Sequence, residues 1–209
     1  MRRILVANPK GGSGKSTLAT HLASWFAHKD ELVYLGDVDR QRSSQSWIQL
    51  RPERLPRVRY WEVGDDEPAA PPSDADVAII DSPAGLYGKR LKQLLAESEH
   101  VLVPVPPSTF DLLASRDFFE ELAETKAMRK ERVTVAVVGM RVDFRTRAAQ
   151  QLAEFVGQFD LPLLGCIRDT QRYVRCIQEG RSLFDLPQSQ TEQDRAQWQP
   201  VLRWLYQPR

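Results

Sequence analysis

Short apolar runs alternate along this chain with stretches of helical spacing. The runs Arg3–Ala7, Glu31–Leu35, Arg57–Val63, Val77–Asp81, Val101–Val105, Val133–Val138 and Leu163–Ile167 are rich in Val, Ile and Leu. Most show little polar alternation, the pattern of parallel strands buried on both faces. Between them, Lys15–Lys29, Ser43–Leu50, Lys89–Ala96, Phe110–Lys130, Arg145–Phe159 and Arg172–Glu179 read as helices. In the fifth of these, Ala148, Leu152, Phe155, Val156 and Phe159 share one face, and Gly180 closes the sixth. Pro104, Pro106 and Pro107 mark a strand exit. Thr191 with Asp194 should cap a terminal segment, which Pro200 should break or restart. Gly64 to Asp76, with Pro68, Pro71 and Pro72, is an irregular acidic connection too short for a second domain. The alternation predicts an α/β fold, a mostly parallel central sheet with helices on both faces, as a single domain over residues 1–209.

The first strand runs into Asn8-Pro9-Lys10-Gly11-Gly12-Ser13-Gly14-Lys15-Ser16-Thr17 and then into a helix. Strand, Gly-rich turn, Lys-Ser/Thr and helix is the layout of a phosphate-binding loop. Glycines let successive N–H groups converge on an anion, and the helix adds its positive end. Lys15 can reach the β/γ-phosphates, Ser16 can ligate magnesium, and Thr17 can bond the α-phosphate. Position 9 is Pro rather than the Gly of the ordinary motif, and a second lysine, Lys10, stands five residues before Lys15. One role for it is to neutralise charge on another subunit's nucleotide. Asp37 and Asp39 follow the second strand at the end where such sheets bind ligands. Asp39 suits orientation of an attacking water, and Asp37 suits support of magnesium or the loop. Asp81 ends an apolar strand as a metal-supporting carboxylate does, and Ser82-Pro83-Ala84-Gly85 can form a loop that senses the γ-phosphate.

The formal net charge is only +1, so the chain as a whole is no polycation. The first 125 residues are net acidic, however, and the rest are net basic and arginine-biased, which allows a basic face. Two cysteines, Cys166 and Cys176, make neither a disulfide framework nor a four-ligand metal site. With no signal peptide and no apolar stretch long enough to span a bilayer, the expected location is the cytoplasm.

These motifs together resemble the ParA/MinD group of deviant Walker A ATPases, and specifically the small ParA type. The resemblance rests on Lys10–Thr17, Asp37-Val38-Asp39-Arg40-Gln41, Asp81-Ser82-Pro83-Ala84-Gly85, Val103–Ser108 with Asp111, and Ile167–Tyr173 continuing to Gly180–Phe184. It departs at Arg40, Ser82 and Ile167, where the family often has other residues. It implies a P-loop NTPase of the SIMIBI class that uses ATP and Mg2+ and forms a sandwich homodimer when ATP-bound. Lys10 would reach the partner's nucleotide. Gly11, Gly12, Ser13, Gly14, Lys15, Ser16 and Thr17 would bind phosphate, and Ser16, Asp39 and Asp81 would serve the metal and water. It further implies nonspecific double-stranded DNA binding in the ATP state. A separate ParB-like or adaptor protein would stimulate slow hydrolysis, and the nucleoid of a bacterium would be the track on which a cargo is positioned. Arg168, Arg172, Arg175 and Arg203 are the candidate DNA contacts, with Arg145, Arg147 and Arg195 as further ones, and Arg172 and Arg175 are the pair to test first.

A MinD-like membrane-cycling ATPase is the nearest alternative. Trp198, Val201, Leu202, Trp204, Leu205 and Tyr206 make the tail apolar enough to consider, but Pro200 and Pro208 confine any helix and only Arg203 and Arg209 are basic. These aromatics are expected to pack on the sheet. An amidoligase or synthetase would need a second-substrate pocket, and an iron-protein-like reductase would need bridging cysteines beside the nucleotide. A nucleotide-binding scaffold without turnover is disfavoured by Lys15, Asp39 and Asp81.

Overall fold

Along Arg2–Val6 (β1), alternate residues enter opposite cores: Ile4 and Val6 one, Leu5 the other. That alternation is what a strand covered on both faces requires. This computed structural model describes residues 1–64 and 70–207. Among them β1 is joined by β2 (Val33–Asp37), β3 (Val58–Trp61), β4 (Val77–Asp81), β5 (His100–Val105), β6 (Thr134–Met140) and β7 (Leu163–Ile167). All pairs are parallel, in the order β3-β2-β4-β1-β5-β6-β7. The path leaves β1 toward one edge and later returns to fill the other, so a ligand crevice is expected above the C-terminal ends of the central strands.

Helices cover both faces, as the alternation predicts. One core joins α1 (Lys15–Ala27), α2 (Ser43–Leu50), α7 (Gln171–Gln178) and α8 (Gln188–Leu205) through Phe26, Trp47, Tyr173 and Trp198. The other joins α3 (Gly88–Ala96), α4 (Thr109–Glu124), α5 (Lys126–Arg129) and α6 (Arg147–Gly157) through Leu91, Phe118, Leu152 and Phe155.

Two helical expectations fail for identifiable reasons. The single helix expected over Phe110–Lys130 is two: Thr125 is extended at ψ 148°, and its side chain accepts from Met128 N to restart the chain as α5. In α4 the buried face is Asp111, Ser115, Phe118, Phe119 and Leu122, while Leu113 points outward. At the C-terminal end, α8 passes straight through Pro200, and Thr191 and Asp194 lie inside it rather than capping it. A proline within a helix costs about 3 kcal/mol. Packing outweighs that here, because α8 lies on β7, with Pro200 and the Gln197 carbonyl against Gly165, and Trp198, Val201, Leu202 and Leu205 are buried. Pro104 falls within β5 but beyond the last residue paired to β1, where its missing N–H breaks no ladder bond to that strand. The part of the acidic connection around Pro68, and the terminal Pro208 and Arg209, lie outside the described residues.

Gly180 decides how α7 meets α2. Its φ is +62°, and a Cβ there would lie 2.3 Å from the Leu50 carbonyl carbon and 2.4 Å from Arg51 N. That close approach lets the Arg51 guanidinium reach both the Gly180 carbonyl and the Asp185 carboxylate. Burial alone would raise the Asp185 carboxyl, yet bonds from His28 and Arg51 hold it well below the usual carboxylate range. Gly180→Ala should destabilise the chain by about 3 kcal/mol in urea titration, from left-handed strain plus backbone overlap. Gly157→Ala, where a Cβ meets nothing within 4 Å, should be neutral or stabilising by about 0.5–1 kcal/mol. Similar effects at both positions would refute this account of the α7–α2 junction.

Candidate nucleotide-binding site

The crevice above β1, β2 and β4 holds the phosphate-loop residues that the sequence singles out. Asn8 sets up the turn: its side-chain oxygen accepts from Lys10 N at 2.8 Å, and its amide donates to the Pro104 carbonyl at 2.8 Å. Gly12 and Gly14 have φ of +73° and +98°, the left-handed values that turn successive N–H groups inward. Gly14 is the N-cap of α1 with no side-chain cap bond, so the first-turn N–H groups face the same cavity. That cavity is about 580 Å³ and is lined by Gly11–Thr17, Asp39 and Gln41. It is lined further by Met140, packed on Gly14, and by Arg141, Ile167–Thr170, Tyr173, Val174 and Ile177.

The two lysines lie in different surroundings. Lys15 is buried, its ammonium donating to the Lys10 carbonyl at 3.0 Å. Burial lowers its pKa, against the pull of Asp81 and Asp39. The Lys10 side chain is 36% exposed, and its ammonium sits 2.6 Å from Asp111 Oδ1. Asp111 in turn is bonded to Ser108, the N-cap of α4.

The carboxylates divide the work differently from a simple reading of strand alternation. β2 ends at Asp37, so Asp39 lies past the strand. Asp37 is a loop support: it accepts from Asp39 N at 3.0 Å, Ser44 N at 2.7 Å and Gln45 N at 3.1 Å, which caps the start of α2 from outside the helix. Burial raises its pKa, opposed by those N–H bonds. Asp39 lines the cavity and accepts from Gln41 N at 3.0 Å. Asp81 is fully buried, and Ser44 Oγ donates to its Oδ2 at 2.7 Å. Asp81 Oδ1 and Ser13 Oγ are buried with no hydrogen-bond partner. A buried orphan carboxylate oxygen near the Ser16 hydroxyl suits a hydrated hard cation such as magnesium, which keeps several waters and needs few protein ligands. Among the described residues there is no group of three or more His, Cys, Asp or Glu that could hold a metal. After Asp81, Gly85 N donates to the Pro9 carbonyl at 2.7 Å, tying the Ser82–Gly85 loop to the phosphate loop.

The arginines separate into two groups. Arg168 and Arg172 both bind the fully buried Asp194, Arg168 at 2.6 Å. Arg195 is partly buried and donates to the Phe184 and Leu186 carbonyls. Arg175, Arg203, Arg145 and Arg147 are exposed. One site residue carries no clear sequence signal. Ser44 is one of several serines opening α2, and only the folded chain brings it to Asp81. Arg141, at φ +55°, donates to the Gly12 carbonyl at 2.6 Å across the cavity mouth.

Burial pushes Asp81 from its ordinary 3.8 to about 7, against hydrogen bonds from Ser44 and Ser16. Between those values the folded chain holds a proton that the unfolded chain has lost, so this group's contribution to stability falls as pH rises through the window. Without nucleotide, Asp81→Asn should therefore melt progressively higher relative to wild type on going from about pH 4 to about pH 8. A constant gap between the two melting temperatures would refute the shift.

The family model for the CobQ/CobB/MinD/ParA nucleotide binding domain matches residues 4–183. The chain is 27% identical, over 88% of its length and 87% of the relative's, to maintenance of carboxysome distribution protein A of Halothiobacillus neapolitanus. It is 28% identical, over 73% of its length and 74% of the relative's, to the chromosome-partitioning ATPase Soj of Thermus thermophilus. Among solved structures, a chain of the MinC:MinD cell division protein complex of Aquifex aeolicus superposes with a TM-score of 0.76 at 16% identity, covering 100% of this chain and 97% of that one. The chain therefore belongs to the CobQ/CobB/MinD/ParA nucleotide-binding domain family, on its ParA/MinD side.

Proposed function

We propose that this protein is a positioning ATPase that binds ATP and Mg2+, dimerises in the ATP state, and then holds nonspecific DNA until a partner protein stimulates hydrolysis. The observation that carries this reading is the unequal placement of the two lysines. Lys15 is inside the cavity with the glycine N–H groups, where one polyphosphate would engage it. Lys10 is outside the cavity-lining residues and about one-third exposed, its ammonium paired with Asp111, and it would exchange that carboxylate for a nucleotide that another copy holds. A dimer closed by ATP on both sides gives Lys10 that ligand.

Within one protomer, the loop N–H groups and Lys15 hold the β- and γ-phosphates, and Ser16 and Asp81 support the metal. Magnesium there would offset charge on the phosphate oxygens. Asp39 orients the attacking water, itself fixed through Asp37 and Gln41. The Ser82–Gly85 loop, bonded to Pro9, is placed to respond to the γ-phosphate. The relatives are named for chromosome partition and carboxysome distribution, and moving a cargo over the nucleoid is the activity this reading transfers. DNA contact falls to the exposed Arg175 and Arg203, with Arg145 and Arg147, because Arg168 and Arg172 are engaged by Asp194. Membrane binding through α8 is disfavoured, since its apolar residues Trp198, Val201, Leu202 and Leu205 are buried in the core.

Two measurements test this. Lys15→Ala should weaken ATP binding at least about 100-fold, roughly 2.7 kcal/mol, whereas Lys10→Ala should bind ATP as the wild-type monomer does but fail to dimerise or turn over normally. Equal ATP binding by Lys15→Ala and wild type would defeat the phosphate-loop assignment. Duplex DNA binding should appear with ATP, persist in Asp39→Ala as its turnover stalls, be lost with ADP, and fall steeply with salt. An ATP dimer that ignores DNA at every salt concentration would defeat the DNA reading and leave protein-only positioning.

A further inference from the structure

The far wall of the cavity receives bonds from a helix that does not itself line the cavity. Asp194, Gln197 and Trp198 of α8 stand at i, i+3 and i+4, on one helical face. Asp194 Oδ1 accepts from Arg168 Nε at 2.6 Å, and its Oδ2 accepts from Arg172. Gln197 Oε1 accepts from Arg168 N at 3.1 Å. Trp198 Nε1 donates to the Tyr173 hydroxyl at 3.0 Å. Arg168 and Tyr173 line the cavity, and Thr170 between them caps α7 by accepting from Arg172 N. The segment from Arg168 to Tyr173 thus takes its position from α8.

The phosphate end is built otherwise. It hangs on β1, α1, Asn8 and the β5 carbonyl at Pro104, without bonds to Asp194 or Gln197. The cavity thus has a polar, N–H-rich part and a part with Ile167, Tyr173 and Ile177 that suits a flat apolar ring, and the two meet where Met140 packs on Gly14 and Arg141 donates to the Gly12 carbonyl.

We propose that Asp194, with Gln197, is a positioning residue for the nucleobase end of the site, and fixes base affinity by holding Arg168 in the cavity wall and, through Arg172, the start of α7 behind Tyr173. This rests on the nucleotide reading above. Removing the carboxylate frees two guanidinium groups, each about one-third exposed at 29% and 33%, to turn to water. The wall then loosens while the phosphate loop keeps its shape. The arginines' link to Asp194 accordingly serves nucleotide selection rather than DNA contact.

The test is calorimetric titration of the full chain with Mg·ATP and with magnesium tripolyphosphate, which carries the phosphates and no base. The variants are Asp194→Asn and Gln197→Ala; Trp198 is avoided because it also stacks on His21, which bonds to the Thr17 carbonyl. The expected result is an ATP affinity about ten-fold lower in Asp194→Asn and several-fold lower in Gln197→Ala, with tripolyphosphate affinity held within about two-fold. If Asp194→Asn does not fold, Gln197→Ala decides by the same comparison. Parallel losses for both ligands, or unchanged ATP affinity, would overturn the inference. So would a rise in DNA binding by Asp194→Asn with ATP affinity intact, which would return Arg172 to the DNA face. A wild-type chain that binds tripolyphosphate and ATP equally would refute the base wall alone, whereas one that binds neither would refute the nucleotide reading beneath it.

Discussion

Burying opposite charges beneath a glycine turn is the constraint on which this structure depends. Lys15 and Asp81 are both buried beneath that turn, and burial moves both toward neutrality: the ammonium is shifted down and the carboxyl up to about 7. Neither shift arises in a solvated loop. A polyphosphate with its metal would reverse both, because an anion favours the charged ammonium and a cation favours the carboxylate. The surrounding architecture serves that arrangement. The parallel register puts Asp37 beside Asp81 on neighbouring strands, and β1 delivers the glycine turn from the adjoining position. The α2 N-terminus is held by Asp37, while Ser44 from its first turn holds Asp81. Asp37 thereby joins the backbone at Asp39 to the helix turn that holds Asp81.

What was legible in the sequence follows from the range of the forces involved. The strands were readable because a doubly covered sheet demands continuous apolar runs. The phosphate loop was readable because its conformation demands glycine at Gly12 and Gly14. Both are local requirements, so they leave local marks. The break at Thr125 was also local, but the helical spacing on either side of it masked the cap. Pro200 misled for the opposite reason: the local penalty is real, and it is overruled by burial of Trp198 and Leu202 against a strand some 35 residues earlier.

The arginines show the same limit most clearly. Arg168, Arg172, Arg175 and Arg203 look alike as sequence, and nothing near Arg168 announces a partner. The partner is Asp194, 26 residues later and on the far side of a turn and a short 3-10 helix at Leu183–Asp185. Ser44 was hidden in the same way, since its carboxylate lies 37 residues on. Side chains whose function depends on a long-range partner carry no signature of their own. Only packing distinguishes the arginine held by a buried carboxylate from the one left in solvent.

That distinction gives α7 a definite position in the mechanism. Its Tyr173, Val174 and Ile177 border the nucleotide cavity, while Arg172, Arg175 and Cys176 border a second cleft with Arg181 and Glu179. One two-turn helix thus forms part of the wall of both. Its N-cap is Thr170, its hold on α8 is through Arg172 and Tyr173, and its C-terminal end is pinned against α2 at Gly180. A ligand that presses on Val174 and Ile177 therefore acts on a helix held at both ends, and because Arg172 and Tyr173 are themselves part of that hold, α7 cannot turn without straining its bonds to α8.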